Sequence, residues 1–303
     1  ALWIGVIGGA FGAIPALLGL YTGRFIDRLG ERLALIVGSV LAVIASAGLL
    51  LVPPSATSLV IFSTFAGLSM FVCIASHHSA TGKTASARRA ANFGHLTTAI
   101  SVAHAIGPIV FGALVNRQTL PDTGPVFLLA TFASVAMLVV APLLFIPRST
   151  PPPEAQGLLR VAGAILRTKG FLPATLASLM LFSAMDLLVI YLPLFGTEHG
   201  ISAGAVGVLL SLRGVASVIS RFFFGWLYGK MGRGPLLVAA LLIAGLGIGL
   251  LPFTDSLAVM GVLAFVAGLG LGIGAPLSLA WVSDIIEAGV LGSALSLRLS
   301  INR

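Results

Sequence analysis

Charged side chains are scarce in this sequence. Asp, Glu, Lys and Arg together make up 9% of its 303 residues, whereas about a quarter of a typical soluble domain is charged. Hydrophobic residues account for 58%. A soluble chain of this composition could not cover its surface with polar groups. A water-soluble domain is therefore disfavoured, and a lipid bilayer is the expected solvent.

Cysteine and catalytic side-chain groupings are equally scarce. Cys73 is the single cysteine and lies inside an apolar run, which excludes a disulfide framework. No Ser/His/Asp, Cys/His or paired-carboxylate arrangement has usable spacing, so we expect neither an enzyme nor a cofactor. His77 and His78 are adjacent and would point about 100° apart on a helix. That geometry is poor for one metal ion, and no metal is expected.

Two glycine-containing segments imitate nucleotide-binding motifs. Gly82-Lys83-Thr84 matches the end of a phosphate-binding loop, but His77 stands where that motif has its first glycine. The stretch GLGLGIG at 268–274 imitates a dinucleotide-binding loop, but it lies inside the apolar run 257–282. Glycine at every second position of that run favours close packing between membrane helices.

Long apolar runs occupy most of the chain. A spanning helix needs about 20 predominantly apolar residues, and lipid offers no hydrogen-bond partner to an open sheet edge. We therefore predict an all-α, multi-pass helical bundle, with a further span beginning near residue 290 and cut short. The nine complete spans are predicted at residues 1–22, 33–52, 58–78, 95–117, 125–146, 171–195, 203–224, 235–252 and 257–282.

Basic residues are distributed unevenly among the connectors between these spans. The net charge of +8 sits in short clusters between apolar runs, which suits membrane orientation rather than nucleic-acid binding. If the first span ends inside, the outer connectors hold only Arg117. The inner connectors hold Arg24, Arg28, Arg32, Lys83, Arg88, Arg89, Arg148, Arg160, Arg167, Lys169, Lys230, Arg233, Arg298 and Arg303.

Two of the predicted inner connectors have related sequences. GRFIDRLGER begins at Gly23 and GWLYGKMGRG at Gly225, an offset of 202 positions that also relates Gly30 to Gly232. An apolar span follows each connector. Such a repeat predicts two related halves about an axis along the membrane normal, and in such transporters the site lies near the midplane between the halves.

The alignment of the two connectors also predicts the domain organisation. We expect an N-terminal half at 1–146, a Pro-rich and basic cytoplasmic linker at 147–170 and a C-terminal half at 171–303. Completing both halves gives twelve helices, six in each. The chain is accordingly expected to be a fragment that lacks the first helix and the last one or two.

The first connector resembles a known family signature. Gly23-x-x-x-Asp27-Arg28-x-Gly30-x-Arg32 is similar to the sequence between the second and third helices of the major facilitator superfamily. The resemblance implies that the two halves represent family helices 2–6 and 7 to the start of 11. It further implies that this loop takes part in gating between open and closed conformers.

A second motif and two departures accompany the signature. Gly107-Pro108-x-x-x-Gly112 resembles the Gly-Pro motif of the antiporter branch of the same family. Glu31 stands where the loop signature has a basic residue, and Gly229 stands where its second copy would have the acid. The segment 58–78 also lacks the arginine that proton-coupled antiporters of the family often carry.

The residues of the first connector suggest how such a gate would work. Gly23 and Gly30 would permit a tight reversal where backbones approach. Asp27 would accept hydrogen bonds from neighbouring arginines or from a facing helix N-terminus. Contacts that exist in one conformer only would bias the open–closed equilibrium. The alternative is a rigid turn in which Arg28 and Arg32 only orient the chain in the membrane.

Asp186 and Arg213 are charged residues well inside predicted spans. At 1.5 Å per residue both would lie about 14–15 Å below the outer surface, near the midplane. A charge there costs about 2.5–3.5 kcal/mol, which an ion pair or a shared water-filled cavity would offset. Asp186 is a candidate for substrate or proton binding, with Arg213 tuning its pKa or holding a substrate anion. The alternative is a pair that fixes helix packing.

The remaining candidate residues within the predicted spans are His104, Gly107, Pro108 and Arg221. His104 lies just before Gly107-Pro108 and is a candidate for proton coupling, or else a hydrogen-bonded packing residue. Gly107 and Pro108 are expected to shape a kink and a close helix contact. Arg221 lies near the inner end of its span and is expected to snorkel to the membrane surface.

These observations predict secondary active transport of a small organic solute, with export coupled to protons, in a bacterial-type inner membrane. The alternatives are uptake of a sugar, carboxylate or other metabolite by the same fold, or a non-transporting membrane scaffold or sensor. The expected partners are a small-molecule substrate, protons and the lipid bilayer. We expect a monomer.

Overall fold

The computed structural model describes residues 2–114, 123–144, 157–201 and 203–302. Throughout these ranges the regular structure is helical, with no strand, which confirms the all-α prediction. The α-helices are α1 (Leu2–Leu17), α2 (Gly19–Leu29), α3 (Glu31–Leu51), α4 (Ala56–Gly82), α5 (Ser86–Leu114), α6 (Gly124–Val140), α7 (Leu158–Arg167), α8 (Phe171–Glu198), α9 (Ala203–Phe222), α10 (Phe224–Met231), α11 (Arg233–Gly249), α12 (Leu257–Ile285) and α13 (Leu291–Ile301).

Seven of the described helices are long and apolar enough to cross a membrane. They are α3, α4, α6, α8, α9, α11 and α12. An eighth span results if α1 and α2 are counted together, although they are bent by 51° at their junction. Large apolar side chains are exposed along these helices, including Phe132, Leu242 and Val262. Such surfaces suit lipid, because soluble proteins rarely expose extended apolar patches.

The connectors are shorter than the sequence predicts, because the helices continue into them. The segment 23–32 is not a loop: α2 extends to Leu29, and the reversal takes place at Gly30. The connector 225–234 is likewise helical as far as Met231, and Gly232 forms its turn. Gly30 and Gly232 have φ of 88° and 72°, in the left-handed region that favours glycine.

Contacts divide the chain into two compact units, described separately below. Unit 1 contains residues 1–83, 107–171 and 285–303, and unit 2 contains residues 84–106 and 172–284. In unit 1, α3 packs against α4 and α6, α4 also packs against α1, and α13 lies against α2 and α4. Ile26, Ala34 and Phe71 are among the apolar residues buried where α2, α3 and α4 meet.

Unit 2 is organised around α12, which is the most buried of the candidate spans. A β-carbon added at Gly272 would lie 2.7 Å from the carbonyl oxygen of Ser217 on α9. At Gly270 it would lie 2.5 Å from the carbonyl oxygen of Ala240 on α11. Glycines two positions apart face different neighbours because two residues turn a helix by about 200°. The stretch 268–274 is thus a helix-packing segment, as its sequence indicated.

Candidate functional site

The described parts of unit 1 contain a buried carboxylate that joins two helices. Asp27, in the last turn of α2, is 5% exposed. Its Oδ1 accepts a hydrogen bond from the backbone N–H of Gly292 at 2.7 Å. Its Oδ2 accepts bonds from the backbone N–H and the hydroxyl of Ser293 at 2.8 Å and 2.6 Å. The donors belong to the first turn of α13, so Asp27 meets a facing helix N-terminus.

Gly23 brings α2 close enough to α13 for these bonds to form. A β-carbon at Gly23 would lie 2.8 Å from the carbonyl oxygen of Gly292, which is closer than such atoms approach in proteins. Gly30 plays a different part, because a β-carbon there would meet nothing within 4 Å. Its role is the left-handed turn between α2 and α3. The close approach of two helix backbones therefore explains the glycine at position 23 but not the glycine at position 30.

The first turn of α3 adds a second buried acid, which the sequence showed only as a departure from the family signature. Glu31 is 1% exposed, pairs with the ammonium group of Lys83 and accepts a hydrogen bond from the hydroxyl of Ser79 at 2.8 Å. The charge of Glu31 is thus compensated at the end of α4. Its spacing from Lys83, one helical hairpin later, is the signal that would have identified the pair.

The two arginines of the signature lie at the surface of unit 1. Arg28 is exposed in the last turn of α2, where a cation interacts favourably with the C-terminal end of the helix dipole. Arg32 is exposed on α3 and donates to the backbone carbonyl of Pro142. Asp27 therefore satisfies its hydrogen bonds through α13, the second of the two partners considered for it.

A related contact occurs within unit 2, at the offset of 202 positions that relates the two connectors. A β-carbon at Gly225 on α10 would lie 2.6 Å from the Cα of Ala91 on α5. Gly23 approaches Ser293 in the same way, and Ser293 and Ala91 are themselves 202 positions apart. The sequence repeat is therefore also a repeat of packing contacts. Gly225 corresponds to Gly23, and Ala91, which Gly225 approaches, corresponds to Ser293.

The position at which α5 begins explains why Gly229 stands where the first connector has an acid. The helix α13 begins at Leu291, so the N–H groups of Gly292 and Ser293 lack partners within the helix. The helix α5 begins at Ser86, so the N–H of Ala91 already lies inside the helix. No capping carboxylate is required there, and Gly229 is sufficient.

Unit 2 has a polar cluster at this end of α5. The guanidinium of Arg89 donates to a carboxylate oxygen of Asp284 at 2.8 Å and to the carbonyl of Ser283 at 2.9 Å. The phenol of Tyr228 donates to the second oxygen of Asp284 at 2.8 Å. Burial raises the pKa of Tyr228, and the hydrogen bond to Asp284 raises it further. The phenol therefore remains a donor throughout the physiological pH range.

Asp186 and Arg213 lie on the consecutive helices α8 and α9 of unit 2. Asp186 is exposed, and Arg213 is partly buried. The two do not form one of the ion pairs found within the described ranges. Nε and one Nη of Arg213 are buried and have no hydrogen-bond acceptor among the described residues. The two charges thus lie on consecutive helices of unit 2 without a direct bond between them in the described structure.

Arg221, two turns further along α9, shows the opposite behaviour. Its Nε donates to the carbonyl of Gly272 on α12 at 3.0 Å, and an Nη donates to the hydroxyl of Ser101 on α5. The prediction that Arg221 snorkels to the surface is therefore wrong, because its donors are satisfied inside unit 2. Ser217, on the same helix, donates to the carbonyl of Gly268 at 2.9 Å.

The Gly-Pro segment lies on α5, which continues from Ser86 to Leu114 through Gly107, Pro108 and Gly112. The side chains of His104 and of this segment fall outside the described part of the structure. Their proposed contributions to proton coupling and helix contact stay predictions.

A bundle of apolar helices long enough to cross a membrane, with buried acids that join helix ends, is the architecture of a multi-pass membrane protein. The sequence profile described as Major Facilitator Superfamily matches residues 2–303. The chain therefore belongs to the Major Facilitator Superfamily.

Individual relatives agree with this assignment. The MFS-type transporter pytF of Aspergillus terreus is 29% identical over 103 residues, which span 34% of this chain and 34% of that protein. The structure of the Escherichia coli fucose:proton symporter FucP matches with a TM-score of 0.82 and 15% identity, over 99% of this chain and 81% of that chain.

Two further structures share the fold. The human organic anion transporter TETRAN matches with a TM-score of 0.78 and 19% identity, over 98% of this chain and 74% of that chain. A bacterial homologue of the iron transporter ferroportin, in an outward-facing state, matches with a TM-score of 0.77 and 18% identity, over 100% of this chain and 79% of that chain. At these identities the likeness concerns the fold.

Proposed function

We propose that the protein exports a small organic solute in exchange for protons by alternating access, as a multi-pass monomer of a bacterial-type inner membrane. The family and the fold support transport, and the charge bias of the connectors supports the orientation. The Gly107-Pro108 segment, which resembles the motif of the antiporter branch, supports export. Structural relatives include a proton symporter, so uptake by the same fold is the competing outcome.

The observation that carries the proposal is that Arg213 has buried donors without a described acceptor, while Asp186 on the preceding helix is exposed. Two opposite charges in mid-span would ordinarily form a hydrogen-bonded ion pair, since an uncompensated charge in the membrane is costly. Here two donors of Arg213 are buried without an acceptor in the described structure, and Asp186 is exposed. An exposed carboxylate can take up and release a proton, and buried guanidinium donors can hold an anionic group of a solute.

These properties support a coupling mechanism based on competition. The carboxylate of Asp186 can hold either a proton or a hydrogen-bond donor of the solute, and each displaces the other, as exchange requires. Arg213 would hold an anionic group of the same solute. His104, on α5, is a further candidate on the proton route.

We also propose that residues 23–32 form part of a gate. Asp27 receives three hydrogen bonds from the start of α13, and bonds to a charged group are worth about 1.5–3 kcal/mol each. A conformer that separates α2 from α13 would lose them together, so the contact favours the conformer in which it forms. Gly23 permits this approach and Gly30 the turn that follows, while Arg28 and Arg32 bias the segment towards the cytoplasm.

The gate belongs to a two-half architecture in our proposal, with residues 1–146 and 171–303 as related halves and 147–170 as the linker. The recurrence of the Gly23–Ser293 contact as Gly225–Ala91 supports this division. In both contacts one glycine lies in one proposed half and its neighbour in the other. Rocking of the halves would therefore break both contacts.

The test measures solute flux in proteoliposomes of the full-length protein under an imposed pH gradient. A gradient should drive flux of a small organic solute, and Asp186→Asn should abolish the dependence on pH while the protein still inserts. Asp255→Asn is the matched control, because Asp255 is exposed in the connector before α12. Flux that keeps its pH dependence in Asp186→Asn would remove this residue from the mechanism, and absence of any solute flux would indicate a scaffold or sensor.

A further inference from the structure

The helix α7, within the segment predicted as a linker, presents three different faces. Val161, Ala162 and Ile165 are buried, and α7 packs against α13 and α2 of unit 1. Leu159 is 82% exposed and Leu166 is 37% exposed. Seven residues correspond to nearly two full turns, so these leucines form one apolar stripe beside the buried face.

A basic stripe borders the apolar one on its other side. Arg160 and Arg167 are exposed and are likewise seven residues apart, about 100° around the helix from the leucines. Going around α7, the buried face is therefore followed by exposed leucines and then by exposed arginines. Lys169 adds a third exposed cation just beyond the helix.

No described acid neutralises the basic stripe. From residue 155 to residue 185 the sequence contains no Asp or Glu. Within the described ranges, neither Arg160 nor Arg167 takes part in an ion pair. The two guanidinium groups therefore remain available to an external anion.

We propose that α7 lies in the membrane interface and binds the headgroups of anionic phospholipids. The leucine stripe enters the acyl region, and Arg160 and Arg167 reach the phosphates above it, which is the arrangement of interfacial amphipathic helices. Free phosphate would satisfy the arginines but would leave the leucines in water. The combination of both stripes selects a lipid with a negative headgroup.

This binding site adjoins the proposed gate without depending on it. The buried face of α7 contacts α13 and α2, the helices that Asp27 joins. An anionic lipid that holds α7 in place would restrict the separation of α2 from α13. The lipid composition of the inner leaflet would then influence the open–closed equilibrium.

The binding is tested by photocrosslinking with the full-length protein in phosphatidylcholine nanodiscs that contain a trace of photoreactive phosphatidylglycerol. Peptide mapping should place the crosslinks on Leu159 and Leu166. Because one basic residue near an anionic surface contributes about fivefold in binding, Arg160→Gln/Arg167→Gln should reduce labelling of α7 roughly tenfold or more. Arg160→Lys/Arg167→Lys should restore most of it, and raised salt should weaken it.

The control removes two cations elsewhere: Lys230→Gln/Arg233→Gln should leave the labelling of α7 unchanged. Circular dichroism and size-exclusion chromatography establish that each variant remains folded. Equal labelling of α7 by a photoreactive phosphatidylcholine would overturn the anionic preference. Unchanged labelling in the double glutamine variant would overturn the role of the arginines. Neither result would bear on solute transport, which is measured separately.

Discussion

At the scale of single residues, Asp27 shows how hydrogen bonds from the start of a helix can hold a buried carboxylate. Its two oxygens receive three hydrogen bonds from the first turn of α13. These groups carry the positive end of the helix dipole and lack partners within the helix. One side chain thus compensates for its own burial and satisfies orphan donors of its neighbour.

Asp27→Ala should shift the conformational equilibrium towards separation of α2 from α13. Loss of three bonds to a charged acceptor, offset in part by water, should change the ratio of conformers at least tenfold. The measurement is labelling of Ser296→Cys in a Cys73→Ala background, since Ser296 is fully buried on α13. Labelling should accelerate in Asp27→Ala but not in Arg24→Gln, one turn earlier on α2. An unaltered labelling rate would contradict the gating role and would support the interpretation of residues 23–32 as a rigid turn.

Removal of the charge of either arginine on α9 should have a different effect: one change should lower the stability, and the other should abolish transport. Arg221→Met should destabilise the protein by about 1–3 kcal/mol, because it leaves the acceptors on Gly272 and Ser101 without their donor. Arg213→Met should change the stability by less than about 1 kcal/mol, since no described acceptor loses a bond, but it should abolish solute flux. Thermal unfolding in detergent and flux in proteoliposomes distinguish the two effects. A large loss of stability in Arg213→Met would favour the packing interpretation.

At the scale of secondary structure elements, α12 holds unit 2 together through backbone contact rather than through large side chains. Gly268 and Gly272 face α9, and Gly270 faces α11. Helix association in lipid relies on van der Waals packing, which small residues improve by letting backbones approach. The hydroxyl and guanidinium donors of Ser217 and Arg221 then reach the glycine carbonyls.

Gly272→Ala should therefore destabilise unit 2 by about 1–3 kcal/mol through overpacking. The new β-carbon would lie 2.7 Å from the carbonyl oxygen of Ser217, so α9 would have to move. Gly245→Ala on α11 is the matched control, because a β-carbon there meets nothing within 4 Å and alanine favours the helix. Size-exclusion thermostability measures both variants. Equal melting temperatures would show that α9 and α12 adapt without cost.

At the scale of the whole molecule, the repeat relates two contacts that the chain makes far apart in sequence. Gly23 approaches Ser293, and Gly225 approaches Ala91, with both pairs related by 202 positions. One is reinforced by Asp27 and the other by the Arg89–Asp284–Tyr228 cluster. The packing has been kept in both copies, whereas the polar groups that reinforce it differ.

Gly23→Ala and Gly225→Ala should shift the transporter in the same direction if both contacts close the same side of it. Each new methyl group would collide with backbone and favour separation. Accelerated labelling of Ser296→Cys should report the first, and accelerated labelling of Thr97→Cys, buried on α5, the second. Gly229→Ala serves as control, since a β-carbon there meets nothing within 4 Å. Opposite shifts would contradict the proposed symmetry.

The sequence by itself determined the solvent, the helical class and the family. Apolar runs of about 20 residues in a chain that is 9% charged admit only helices in lipid, and the repeated glycines located the related connectors. These features are local in sequence or recur at a fixed offset, so they need no knowledge of which helices meet.

The tertiary structure decided which side chains and helices contact one another. The acceptance of α13 donors by Asp27, the pairing of Glu31 with Lys83 and the capture of Arg221 by α12 and α5 join residues distant in sequence. The continuation of α2 to Leu29, through the predicted loop, accompanies its packing against α13. Long-range contacts of this kind depend on which helices lie side by side, and hydrophobic periodicity in a membrane helix carries little of that information because lipid and protein are equally apolar.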